Sequence, residues 1–146
     1  MKIYIVDTNI VFSAAMNTES RIGQFLMQTD VEEVEFYAPT YLKREIERHI
    51  PKLVRLSKLT EQDTRAIIEL VYTRITFIDD GQIPIKTYSE ASRLVRDVDE
   101  FDVQFVALTK YMDEILWTGD RKLYRHLLKM GFDQVVTFED IWDEIK

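Results

Sequence analysis

The sequence predicts an α/β fold, a three-layer α/β/α sandwich around a central parallel sheet. Three observations carry this. Short β-branched apolar runs alternate along the chain with segments of helical period, the order that gives βαβ units and a parallel sheet. The first such run, Lys2 to Val6, hardly alternates between apolar and polar, as a strand buried on both faces requires. The 146 residues are 46% hydrophobic, enough for one core, and no repeat or linker tract divides them, so one domain spans 1–146.

After the first strand, Asp7, Thr8 and Asn9 end the run, and helical spacing resumes with Ile10, Val11 and Ala14. Ser20 is placed to cap a helix carrying Ile22, Phe25 and Leu26. Glu35 to Ala38 reads as the second strand, stopped by Pro39. Thr40 is then expected to cap a helix that Pro51 limits to about Ile50. Thr60, with Asp63 three residues on, opens a helix through about Tyr72, with Ala66, Ile67, Leu70 and Val71 at its apolar positions. Ile75 to Ile78 is the third strand, followed by an Asp79-Asp80-Gly81 turn and helices over Tyr88 to Val95 and Phe101 to about Met112. The second of these shows Phe101, Phe105, Leu108 and Met112 on one side. Ile115 to Thr118 is the fourth strand, Arg121 to Met130 a helix stopped by Gly131, and Gln134 to Thr137 the last strand before a short C-terminal helix.

Composition narrows the chemistry. No cysteine is present, so disulfides, thiolate metal sites and Cys nucleophiles are out. His49 and His126 lie far apart and form no ligand pair, which leaves oxygen donors. No apolar run approaches the ~20 residues of a membrane span, and Lys2 to Val6 is too short for a signal-peptide core. A soluble, cytoplasmic protein is the expectation, with no membrane partner. The net charge of −7, from 26 acids and 19 bases, argues at first against a nucleic-acid partner. Basic residues are nevertheless grouped: Lys43, Arg44, Arg48, Lys52, Arg55 and Lys58 in one run, Arg121, Lys122, Arg125 and Lys129 in another.

In open parallel sheets reactive groups gather at the carboxyl ends of strands. Acids stand there: Asp7 directly after the first strand, Asp120 one glycine after the fourth. Each could be a simple helix cap. On the helix after Thr40, a wheel at ~100° per residue puts Tyr41, Leu42, Ile46 and Ile50 inside. Glu45 falls at the edge of that face and Glu47 points away, so Glu45 is the better candidate for a partner or a metal. Asp97, Asp99, Glu100 and Asp102 crowd one helix start, where the macrodipole alone would favour them. Asp99 and Asp102 share a face, three residues apart, and Asp102 leads into the apolar side, whereas Asp97 and Glu100 face solvent.

The segments IVDTNIVFSAAM at 5–16, YAPTYLKREI at 37–46, DVDEFDVQFVALT at 97–109 and LWTGDRKL at 116–123 occur in one order over most of the chain. In this they resemble the PIN-domain nucleases, and within them the VapC-like toxins of prokaryotic toxin–antitoxin pairs. The resemblance implies an acidic site of Asp7, Glu45, Asp102 and Asp120, with Asp99 as an accessory acid. It matches Thr118 to the hydroxyl that supports the last acid and Asn9 to the polar residue that orients the first. It further implies a Mg²⁺- or Mn²⁺-dependent endoribonuclease leaving a 5′-phosphate and a 3′-hydroxyl. Asp7 and Asp102 are assigned as the most direct ligands, and Asp120, Asp99 and Glu45 as ligands through water or to a second ion.

With the five site acids set aside, 21 acids and 19 bases remain, a charge of −2, so the objection to nucleic acid shrinks. Lys43, Arg44, Arg121 and Lys122, beside Glu45 and Asp120, are candidates to guide the RNA backbone. An antitoxin is the expected partner, inserting a cation among the acids and packing on Phe12, Met16, Phe25 and Met27. A second copy of the chain is another candidate partner. The alternatives are an RNA-processing PIN nuclease outside toxin systems and a non-catalytic PIN-like binding module. A phosphatase or phosphoacceptor receiver fits less well, since Asn9 stands where a phosphatase motif has its second Asp, and residues 50–60 are basic.

Overall fold

The structure, a computed structural model, describes residues 1–145. In chain order its elements are β1 (Lys2–Val6), α1 (Thr8–Met16), α2 (Arg21–Gln28), β2 (Val34–Pro39), α3 (Tyr41–Ser57), α4 (Glu61–Tyr72) and β3 (Ile75–Ile78). Then follow α5 (Ile85–Val95), α6 (Val103–Met112), β4 (Ile115–Trp117), α7 (Arg121–Lys129), β5 (Val135–Val136) and α8 (Phe138–Ile145). The five strands form one parallel sheet in the order β3-β2-β1-β4-β5, with Ile5 opposite Tyr37 on one side and Leu116 on the other.

This order puts the reversal of direction at β1. Connections from β1 run outward through β2 to β3, then return past β1 to β4 and β5. Right-handed crossovers therefore lay α1 to α4 on one face and α5 to α7 on the other. Contacts agree: α1 packs on α2, α3 and α4, while α5 packs on α6 and α7, and α6 lies against β1, β2 and β4. Tyr4, Phe25, Phe36, Trp117 and Phe138 interlock at centroid distances of 5.4–6.4 Å. Phe25, with Phe12, Met16 and Met27, packs against the core, and each of the four is half-buried.

Local sequence accounts for most boundaries. Ser20 and Thr60 cap their helices by accepting N–H bonds from Gly23 and Asp63. Gly131, at φ +83°, ends α7 in the left-handed conformation that a side chain disfavours. Four expectations are corrected. Helix α3 runs through Pro51 to Ser57 instead of stopping at Ile50. Pro51 and Glu47, whose carbonyl would have received the missing N–H, are both exposed, so water can take that carbonyl, while Leu53 beyond the proline continues the buried face. Thr40 does not cap α3, because it is itself in the helical region and its hydroxyl accepts the Asp80 N–H. On α4 the buried face is Thr64, Ile68 and Val71, with Leu70 left 55% exposed. Finally, Glu100–Asp102 form a short 3₁₀ turn ahead of α6, which turns Phe101 out to 52% exposure.

Candidate active site

A cleft of about 300 Å³ lies at the carboxyl ends of β1 and β4, and Asp7, Glu45, Asp99, Asp102 and Asp120 all line it. Four chain segments supply them. Parallel pairing of β1 with β4 sets Val6 beside Trp117, so the residues that follow each strand meet across the sheet.

Asp7 caps α1. Its Oδ1 accepts the Ile10 N–H at 3.1 Å, its Oδ2 accepts the Thr118 hydroxyl, and the Gly119 N–H adds a further bond. At 3% exposure the carboxyl is pushed up to about 6, because burial outweighs these donors, and the Asp120 charge adds to the rise. Thr118 spans two acids: its hydroxyl donates to Asp7 and accepts the Asp120 backbone N–H at 3.0 Å. Its hydroxyl thus supports both acids, giving its proton to the first and holding the backbone of the last. Asn9 lines the cleft, and the groups bonded to Asp7 are Thr118, Ile10 and Gly119. Gly119 allows the two loops to approach: a Cβ there would stand 3.1 Å from the Cβ of Asn9.

Asp120 caps α7, its Oδ1 accepting the N–H groups of Lys122 and Leu123 at 2.9 and 3.1 Å. Asp99 caps the 3₁₀ turn through the Phe101 N–H at 2.9 Å. The Oε1 of Glu45 accepts the Thr8 hydroxyl at 2.7 Å. Glu47 is paired on the open face with Arg65, at 2.8 and 3.0 Å. Asp97 and Glu100 are exposed.

Asp102 differs from all of these. It stands at the start of α6 without a capping bond, and its Oδ2 is buried with no hydrogen-bond partner. Burial, followed by the charges of Asp99, Asp7, Asp120 and Glu45, pushes its carboxyl up to about 8. Among the described residues, no three His, Asp or Glu side chains are close enough to form a ready coordination set. The donor chemistry nonetheless fits a hard divalent cation: the candidates are carboxylates, and one buried oxygen lacks any partner.

The four basic residues proposed as guides lie elsewhere. Lys43 sits over the rings of Phe77 and Tyr72 at 4.3 and 5.3 Å. Arg44 pairs with Asp80 and Arg121 with Glu139, at 2.8 and 2.6 Å, and Lys122 is exposed on α7. None of the four lines the cleft, where His49 and Lys52 stand instead, with Phe12 and Phe105. The signal for the first two was present: both follow Glu45 on α3 at helical spacing, four and seven residues on.

Residues 5–140 match the family model described as PIN domain. No curated protein matches the chain. Among solved structures it is similar to VapBC2 from Rickettsia felis bound to a DNA fragment from their promoter, with a TM-score of 0.68 at 14% identity, covering 92% of this chain and 96% of that one. It is similar also to PAE2754 from Pyrobaculum aerophilum, at 0.66 and 15%, covering 96% and 93%. VapBC-1 from nontypeable Haemophilus influenzae gives 0.62 and 14%, covering 87% and 93%. Identities this low speak to the fold.

Proposed function

The chain belongs to the PIN domain family, and from that premise we propose that it is a divalent-metal-dependent endoribonuclease, the toxin of a toxin–antitoxin pair. The observation that carries this is the buried, unpartnered Oδ2 of Asp102 in a cleft that four other acids also line. A stable fold has little use for that arrangement unless a cation joins it.

Asp7, Asp102 and Asp120 would hold Mg²⁺ or Mn²⁺, with Asp99 and Glu45 reaching it through water or holding a second ion. When bound, the cation would lower the pKa of an attacking water and offset charge on the phosphodiester. The chain's own residues prepare the site. Thr118 and the Ile10 and Gly119 amides fix the Asp7 carboxylate. Glu45 is oriented through Oε1 by Thr8, leaving Oε2 to accept the proton of the attacking water. Asp102, whose carboxyl is pushed up to about 8 by burial and the acids around it, holds its own proton near neutral pH and would give it up to hold a cation.

The toxin assignment draws on the VapC-like sequence segments and on the likeness to two VapBC structures. Its partner would be a protein that fills the cleft with a basic side chain. Two experiments test these levels. Total RNA incubated with the protein and Mg²⁺ or Mn²⁺ should be cut, and excess chelator should stop it; cleavage that persists in chelator sinks the metal-dependent reading. Co-expression with the product of the adjacent gene should yield a complex with suppressed cleavage; if no complex forms, the toxin assignment is lost and the nuclease one stands.

A further inference from the structure

The cleft has a wall that the proposed chemistry leaves idle. Lys52 is, among the described residues, the only Lys or Arg lining it. It joins no ion pair among those residues, although five acids line the same space. Its Nζ lies instead over the Phe12 ring, 5.8 Å from the centroid. The His49 ring meets Phe12 edge-to-face at 6.3 Å and an interplanar angle of 84°. Phe12 packs on the core, so both polar groups rest on a fixed support, yet both are exposed.

A lysine that closes on none of the acids around it, and is propped on an aromatic ring, keeps its ammonium free for an incoming anion. The imidazole beside it presents an N–H in either tautomer. Resting on the nuclease reading above, we propose that Lys52 and His49 form a phosphate subsite. It binds the RNA phosphate next to the scissile one, on the α3 side of the acids, and thereby sets the strand's direction through the cleft. The two residues act in binding and take no part in bond cleavage.

The test uses the intact protein and two readouts. First, binding of a labelled, mixed-sequence single-stranded RNA is followed in chelator between 50 and 200 mM salt. Lys52→Ala should weaken binding about five- to tenfold and reduce the slope of log affinity against log salt by about 0.7, the loss of one phosphate contact on a single strand. Lys52→Arg should restore both, and His49→Ala should weaken binding about twofold with little change in slope. Second, in cleavage of RNA with Mg²⁺, Lys52→Ala should raise KM with kcat held, whereas a merely structural defect would lower kcat and the melting temperature. Lys86→Ala, which removes an equal charge from α5 outside the cleft, should change neither readout. If wild type cuts RNA while Lys52→Ala and His49→Ala bind and cut like it, the subsite is overturned and the nuclease reading survives. If wild type neither binds nor cuts RNA with either metal, both fall.

Discussion

Asp7 and Asp102 line one cleft and are built in opposite ways. At the end of β1, Asp7 is enclosed by donors: a hydroxyl from the neighbouring strand's end and two backbone amides. At the start of α6, Asp102 has an oxygen that is buried with none. Each carboxyl is raised by burial, to about 6 and about 8 respectively, and the difference follows from the donors that Asp7 has and Asp102 lacks, together with the four acids around Asp102. One acid is therefore part of the scaffold as well as of the site. The other is stabilised only by whatever charge enters.

The contrast can be broken most forcefully through activity. Asp102→Asn and Asp7→Asn should each reduce metal-dependent RNA cleavage by about 100-fold or more, since each removes a ligand charge where charge develops. Wild-type rates in either variant would remove that residue from the site.

Stability separates the two acids. In chelator near neutral pH, Asp102→Asn should raise Tm by at least about 3 °C, because it removes a carboxyl that is ionised in the unfolded chain and must take up a proton to be buried. Asp7→Asn should not, since it weakens an acceptor that three donors need. Thr118→Val, which strips the hydroxyl from Asp7, should cost about 1–3 kcal/mol, roughly 3 °C of Tm for each kcal/mol. Calorimetry on the three variants checks the contrast, and equal shifts for the two Asn variants would erase it.

The same asymmetry sets a pH dependence. A carboxyl whose pKa is raised on folding binds its proton more tightly in the folded chain than in the unfolded one. Its stabilising contribution is complete below the ordinary Asp value of 3.8 and is lost as pH rises through the folded value, about 6 for Asp7 and about 8 for Asp102. From these two groups, the metal-free protein should lose stability between about pH 4 and 8. In Asp102→Asn the upper part of that loss, above about pH 6, should be absent. A thermal melt series in chelator reads this directly.

The smallest effect belongs to the neighbouring glutamates of α3. Glu47→Gln breaks an exposed ion pair with Arg65 and should shift stability by under about 1 kcal/mol with activity intact. Glu45→Gln should leave stability nearly as little changed but lower cleavage. Activity lost in Glu47→Gln would show that the helix face was wrongly divided.

That division was legible beforehand, since the apolar period of Leu42, Ile46 and Ile50 places Glu45 at its edge. The strand ends carrying Asp7 and Asp120 were legible too, through β-branched runs broken by polar triplets. What escaped was set by tertiary contacts. Thr40 is drawn to the Asp80 amide from 40 residues away, and local sequence offers no sign of it. Pro51 persists inside α3 because its side of the helix is exposed, which propensity alone does not encode. Thr118 stands two residues before the last acid and accepts its backbone N–H, while β4 pairing beside β1 also turns its hydroxyl to Asp7, a link that local sequence does not show. For the basic runs, charge density along a chain says nothing of side-chain direction. Lys43 and Arg44 leave α3 away from the cleft, while Lys52 in the same run lines it.

The bond between Thr118 and Asp7 joins residues 111 positions apart. It has a consequence for time as well as for shape. Strand β1 is synthesised early, yet it sits in the middle of the sheet and waits for β4 before its second edge is paired. Until that late docking, Asp7 lacks its hydroxyl donor and Asp120 is not beside it. A nascent or partly refolded chain can have β1, β2 and β3 in register and still possess half a cleft. Contacts of such long sequence separation form slowly, because the loop between them must close first. In a refolding experiment, RNA cleavage should therefore return with the slowest phase of structure formation, after most of the helical signal has been regained.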